Sequence, residues 1–148
     1  MYLTVHATAG LLIGQQLNNP LIGFFTGVLS HYILDFIPHG DEFIGKFSTK
    51  RKLLIGSADF IIALGLGWWL ISQNYLQLTP AIIFTILGTF APDFLWGSAM
   101  IIKMPWLESI NNLHHAVQRS RPDIAPATGI LLQVTLLWAG IIFLVLTH

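Results

Sequence analysis

Apolar residues fill five long segments of the chain, and short polar stretches separate them. The segments cover about residues 3–17, 20–37, 53–72, 80–102 and 124–147. A helix that crosses the hydrocarbon core of a bilayer needs about 20 apolar residues, so the first segment is short for a span. The pattern predicts an all-α, polytopic membrane bundle of about five transmembrane helices, with residues 1–148 forming a single integral membrane domain.

Short motifs refine this prediction. The stretch PWLESINNLHHAVQRSRPD, residues 105–123, predicts a short amphipathic helix at the membrane interface, before Pro122. Each of the first two segments carries a GxxxG motif, a spacing that allows membrane helices to approach closely. A hairpin of helices one and two through these glycines would bring His6 towards the end of helix two.

Composition agrees with a membrane protein. Hydrophobic residues make up 54% of the chain and charged residues only 9%, against about 25% in soluble proteins. Seven basic and seven acidic residues give a net charge of zero, so nothing indicates nucleic-acid binding. The chain contains no cysteine, which excludes disulfides and thiolate metal ligands.

The basic residues predict the orientation. They lie only in or beside two polar stretches, 39–52 and 103–123, and the connections at 18–20 and 73–80 contain none. The positive-inside rule therefore places both basic stretches in the cytoplasm. The predicted location is the cell membrane, multi-pass, with a cytoplasmic N-terminus and an external C-terminus.

Several ionisable residues lie inside the apolar segments, where an isolated charge costs several kcal/mol. On the predicted topology all of them fall on the cytoplasmic side, although that topology was derived from Lys and Arg alone. This agreement predicts one polar site at the depth of the inner leaflet. Its members are His6, His31, Asp35, His39, Asp59, Asp93 and His114.

A divalent metal ion suits this set best. His31 and Asp35 are four residues apart, so they share one helix face and can bind one ion. Imidazole and carboxylate donors without thiolate favour Zn²⁺, with Mn²⁺ and Fe²⁺ as alternatives. The candidate ligands are His6, His31, Asp35, Asp59, Asp93 and His114, with His39 as a possible addition.

Three motifs carry a resemblance to a known family. His6-Ala-Thr-Ala-Gly10, Pro92-Asp93 and Leu113-His114-His115 resemble the small bacterial and archaeal membrane-bound metal-dependent hydrolases. The spacing of His31 and Asp35 is also similar to one ligand pair of zinc-dependent phospholipases C, which are larger and soluble. The chain departs from the family pattern at Leu95, where a second acid is usual. The resemblance implies metal-dependent hydrolysis at the membrane.

The sequence therefore favours a hydrolase that acts on a phosphoester or ester of a membrane lipid or another amphiphile at the cytoplasmic leaflet. Asp93 and His115 are the predicted catalytic residues beside the metal. The predicted contacts to an anionic substrate group are Lys50, Arg51, Arg119 and Arg121. Two alternatives remain open: an ion- or proton-coupled transporter or channel, and a non-catalytic membrane subunit, with haem-binding histidines as a special case. The sequence does not define an oligomeric state.

Overall fold

A computed structural model describes residues 1–40, 46–99, 101–102, 104–120 and 122–147. Within these residues the chain is helical and contains no strand, which confirms the all-α prediction. The helices are α1 (Leu3–Gly14), α2 (Pro20–Phe36), α3 (Thr49–Ser72), α4 (Pro80–Ala99), α5 (Pro105–Arg119) and α6 (Pro126–Leu146). The predicted helix before Pro122 is therefore present as α5.

Proline fixes the starts of four of these helices. α2, α4, α5 and α6 each begin at a proline, whose fixed φ suits the first turn and whose missing N–H would have no partner there. Asn19 completes the start of α2, because its side chain accepts hydrogen bonds from the backbone N–H groups of Leu21 and Ile22. The predicted starts of the second and fourth segments, at residues 20 and 80, thus coincide with helix starts.

Three helices, α3, α4 and α6, are long and apolar enough to cross a membrane, fewer than the five predicted. α1 has 12 residues and α2 has 17. At 1.5 Å per residue these are about 18 and 25 Å long, below the 30 Å of a typical hydrocarbon core. Length therefore separates the two N-terminal helices from the spans.

α1 is an interior helix. Nine of its twelve residues are buried, so protein surrounds it on most sides, whereas α3 has only Ala63 and Leu70 buried. A helix that is apolar all round can face either lipid or protein. α1 packs against α2, α3, α4 and α6. Because protein surrounds α1, the helix does not have to be long enough to span the bilayer by itself.

Helices α2 and α4 run in the same direction with matched rows. Every fourth residue of each helix lies in the contact: Gly23, Gly27, His31 and Asp35 face Ala81, Thr85, Thr89 and Asp93. A Cβ atom at Gly27 would collide with the carbonyl oxygen of Thr85, and one at Gly88 would collide with that of Phe24. Glycine is therefore required for this close approach.

The two GxxxG motifs do not pack against each other, which corrects the predicted glycine hairpin. Gly10 and Gly14 of α1 lie against α4, as do Gly23 and Gly27 of α2. The expected outcome for His6 is nevertheless confirmed, because its Nε2 lies 3.3 Å from Asp35 Oδ1 near the end of α2. α4 is the common partner that brings α1 and α2 together.

Candidate metal centre

Four side chains from three helices converge on one point. His31 and Asp35 come from α2, Asp93 from α4 and His114 from α5. One donor atom of each lies within 4.8 Å of the others, and His31, Asp35 and His114 are buried. The predicted pairing of His31 with Asp35 at one site is confirmed, and the cluster could hold a metal ion.

The spacing of the donor atoms fits a tetrahedral ion. His31 Nε2 lies 3.4 Å from Asp35 Oδ2 and 3.9 Å from Asp93 Oδ1. His114 Nε2 lies 3.8 Å from Asp35 Oδ2 and 3.9 Å from Asp93 Oδ1. Ligands about 2.0–2.1 Å from a tetrahedral Zn²⁺ are roughly 3.3 Å apart, so a small contraction would close the set around an ion.

The backbone of α4 orients His31. Its Nδ1 lies 2.8 Å from the carbonyl oxygen of Thr89, and a carbonyl oxygen can only accept. Nδ1 therefore donates a proton to this carbonyl, and Nε2 is the ring nitrogen that faces the two aspartates and could bind a metal ion. His31 Nε2 makes no hydrogen bond within the described residues. This is the arrangement of a metal-ligating histidine held by a carbonyl partner.

His114 is held by an aromatic neighbour. Its ring stacks on Trp96 with centroids 5.8 Å apart and an interplanar angle of 26°. Burial lowers the pKa of His114, and the carboxylates of Asp93 and Asp35 oppose this effect only in part. The neutral ring, which is the form that binds metal, is therefore favoured.

The other carboxylate oxygen of Asp35, Oδ1, also has partners. Its Oδ1 accepts a hydrogen bond from the Met1 nitrogen at 2.7 Å and lies 3.3 Å from His6 Nε2 and 4.0 Å from His39 Nε2. His39 is fully buried although α2 ends at Phe36. The predicted additional ligand thus lies beside Asp35.

Asp59 has a different role from the predicted one in this structure. Its carboxylate accepts hydrogen bonds from the backbone N–H groups of Leu3 and Thr4 and from the Thr4 hydroxyl at 3.0 Å. It lies outside the group of four converging donors. An acid on α3 thereby caps the start of α1, where unpaired N–H groups and the helix dipole favour a negative charge.

The other predicted site residues lie away from the cluster, as far as the described residues extend. His115 is half-buried, with its ring at the edge of Trp96. Lys50, Arg51 and Arg119 are exposed, and the Arg51 guanidinium lies 3.7 Å from the centre of the Phe47 ring. Arg121 lies outside the described residues.

A cavity of about 360 Å³ adjoins the cluster. Asp93, His114 and Asp59 line it, and most of the remaining wall is apolar. The wall comprises the start of α1, the first half of α3 and the end of α4. A pocket with a few polar groups in an apolar wall is typical of a binding site for a small molecule.

The sequence interpretation missed three residues of this region. Lys52 lines the cavity, whereas its neighbours Lys50 and Arg51 are exposed. Gln133 is buried on α6, where it accepts from the Tyr2 N–H and donates to the His39 carbonyl. Trp96 stacks on His114. An amide within a membrane segment is itself a signal, because such groups tend to bond across helices.

Comparisons of the chain with protein-family models, with curated proteins and with solved structures find no match. The fold and the cluster define a helical protein with candidate membrane spans and a His/Asp group that could hold a metal ion. The identity of the metal and the resemblance to hydrolases stay predictions.

Proposed function

We propose that the chain is a membrane-embedded, metal-dependent hydrolase that acts on a phosphoester or ester of an amphiphile at the cytoplasmic leaflet. The observation that carries the proposal is the position of the four converging donors at the wall of a largely apolar cavity. A metal site within reach of an apolar pocket suits a substrate with a polar head and an apolar tail. The resemblance of the sequence motifs to hydrolases supports the same chemistry.

His31, Asp35, Asp93 and His114 would hold the ion, with Zn²⁺ favoured by the two nitrogen and two oxygen donors. When bound, such an ion polarises a substrate oxygen and makes water more acidic. The two aspartates differ in access, since the side chain of Asp35 is 1% exposed and that of Asp93 is 21% exposed. We therefore assign Asp93 the role of accepting a proton at the cavity wall and Asp35 that of a ligand alone.

Lys52 is the best candidate to contact an anionic head group. It lines the cavity in the first turn of α3 and follows the basic residues Lys50 and Arg51. This end of the bundle therefore carries positive charge, which supports its placement on the cytoplasmic side and would attract anionic lipid. Lys50 and Arg51, which are exposed, would add to the positive surface charge without contacting the substrate.

The transport alternative has less support. Among the described residues, several buried threonines lie between the cluster and the far end of the bundle, and their hydroxyls bond within their own helices. Thr8 donates to the Thr4 carbonyl, Thr85 to that of Ala81 and Thr89 to that of Ile86. As oriented here, each of these hydroxyls donates its proton to its own helix and not to another buried side chain, so they form no connected path for a proton.

The test is hydrolysis by the purified full chain in detergent, loaded with Zn²⁺, Mn²⁺ or Fe²⁺, on a panel of amphiphilic phosphoesters and esters. We expect turnover that chelation abolishes and that Asp93→Asn lowers about 10²–10⁴-fold in kcat, because the proton acceptor is lost. Asp123→Asn, an exposed acid in a loop, is the matched control and should leave kcat unchanged.

A second pair of variants tests the head-group contact in the same assay. Lys52→Met should raise KM for an anionic substrate, and Lys50→Met should leave it unchanged. The proposal is wrong if no substrate is hydrolysed with any of the three metals while liposomes containing the protein show ion or proton flux that requires Asp93.

A further inference from the structure

Asp35 presents its two carboxylate oxygens to two separate pairs of histidines. Oδ2 lies 3.4 Å from His31 Nε2 and 3.8 Å from His114 Nε2. Oδ1 lies 3.3 Å from His6 Nε2 and 4.0 Å from His39 Nε2. A carboxylate with nitrogen donors on both sides has the arrangement of a ligand that bridges two cations.

His6 supports this arrangement independently. The residue is fully buried, and neither ring nitrogen has a hydrogen-bond partner within the described residues. Its ring stacks on that of His31, with centroids 4.1 Å apart and an interplanar angle of 17°. The polar contact given for this ring is the 3.3 Å approach of Nε2 to Asp35 Oδ1, so a ligand bound by the ring would offset part of the free-energy cost of burying it.

His39 is oriented in the same way as His31. Its Nδ1 lies 2.7 Å from the carbonyl oxygen of Ile37 and therefore donates to it, which leaves Nε2 as the ring nitrogen that faces Asp35. Gln133 holds the backbone of His39 through a hydrogen bond of 2.9 Å to its carbonyl oxygen. A Cβ at Gly129 would collide with that same carbonyl, so glycine allows α6 to approach.

We infer that Asp35 bridges two cations, with a second divalent ion bound on its Oδ1 side by His6 and His39. Two nitrogens and one carboxylate oxygen suit Zn²⁺, Mn²⁺ or Fe²⁺. Paired metal ions in hydrolytic sites lie about 3.5–4 Å apart, a separation that a bridging carboxylate can provide. His6 and His39 lie outside the group of four converging donors, so closing the second site requires both rings to move towards Oδ1, from which His39 Nε2 is 4.0 Å away.

The competing arrangement is a single ion. The Met1 nitrogen donates to the same Oδ1 at 2.7 Å and also brings positive charge to it. A carboxylate oxygen has two lone pairs, so this contact and a cation can share Oδ1. The two arrangements differ in the number of ions per chain, which can be counted.

The experiment uses the full chain in detergent, stripped of metal by a chelator and then titrated with Mn²⁺. Bound metal is counted by mass spectrometry, and the magnetic coupling between ions is read from low-temperature electron paramagnetic resonance. We expect two Mn²⁺ per chain with a spin-coupled spectrum. His6→Ala and, separately, His39→Gln should each leave one uncoupled Mn²⁺. The control, His115→Ala, should keep two coupled ions.

The inference builds on the first cation of the proposed function but not on hydrolysis, so the two can fail separately. One uncoupled Mn²⁺ in the wild type would overturn the second site and leave the first in place. Two coupled ions retained in both the His6 and the His39 variants would also overturn it. Two coupled ions without hydrolysis of any substrate would support the second site and count against the hydrolase. His39 lies in a loop, so its variant remains informative if the His6 variant does not fold.

Discussion

At the scale of single residues, the aspartates inside the apolar segments differ in the groups that compensate their buried charge. Asp35 and Asp93 face histidine nitrogens, whereas Asp59 accepts hydrogen bonds from the start of α1. A negative charge at a helix N-terminus is stabilised by unpaired N–H groups and by the dipole. The same residue type in similar apolar surroundings therefore serves a cluster in two cases and a helix cap in the third.

The capping role of Asp59 makes a prediction that separates it from a ligand. Asp59→Asn keeps one of the two accepting oxygens, so it should keep the metal content and lower the stability less than Asp59→Ala does. Asp59→Ala should lower the free energy of unfolding by about 0.5–2 kcal/mol, the usual cost of a lost cap. Thermal unfolding and metal analysis of both variants check this. Loss of metal in the asparagine variant would show that Asp59 is a ligand after all.

At the scale of helices, close contact between α2 and α4 sets the geometry of the cluster. The glycines of α2 lie one and two turns before His31 on the same face, so the gap between the two helices at Gly27 also fixes the distance from His31 to Asp93. The glycines on this face of α2 thus control the position of the candidate metal ligands further along the same face.

A single methyl group should therefore disturb the cluster from a distance. In Gly27→Ala the new Cβ would meet the Thr85 carbonyl, and overpacking of this kind costs about 1–3 kcal/mol. We expect lower thermal stability together with weaker metal binding. Gly65→Ala on α3 is the matched control, because no atom lies within 4 Å of its added Cβ. That change should be neutral or stabilising by about 0.5–1 kcal/mol. Equal effects of the two substitutions would contradict this account.

The sequence predicted the helices and the chemistry of the cluster better than it predicted their surroundings. His31, Asp35 and Asp93 were recognisable because ionisable side chains in apolar segments must be compensated, and His114 because it follows them on the same predicted side of the membrane. The burial of α1 could not be predicted, because a helix with apolar residues on every face can pack equally well against lipid or protein. The partner of Asp59 is backbone from another helix, and the choice of Lys52 over Lys50 depends on the direction in which α3 starts. Side-chain type alone carries neither piece of information.

At the scale of the whole molecule, the helices form a bundle in which the end that carries the candidate metal centre differs in composition from the opposite end. The turn between α1 and α2 lies beside the start of α4, since Gly14 contacts Ile82 and Gly23 contacts Ala81. The basic residues that are described lie at the other end, just before and in the first turn of α3 and at the end of α5. Helix length alone identifies three spans. The turn that joins α1 to α2 nevertheless lies at the same end of the bundle as the start of the span α4.

This placement predicts which positions are accessible from each side of the membrane. The chain has no cysteine, so single cysteines introduced at exposed positions can be labelled without background. A membrane-impermeant thiol reagent added outside cells should label Asn18→Cys and Asn74→Cys and should leave Ser120→Cys unlabelled until the membrane is opened. Labelling of Ser120→Cys in intact cells would reverse the proposed orientation. If Asn74→Cys were labelled and Asn18→Cys were not, the α1–α2 turn would lie within the membrane, out of contact with the external solution.

The matched rows of α2 and α4 also limit how the chain can change in length. One residue inserted between Gly27 and His31 would turn the rest of α2 by about 100° and move it about 1.5 Å along its axis. His31 and Asp35 would then leave the face that meets Asp93, while the glycines stayed in contact with α4. Insertions and deletions are therefore tolerated in the connections at 15–19 and 73–79 but not within these two helices. Between the small residues and the aspartate of each helix, other residue types can therefore be substituted, but the number of residues must stay the same.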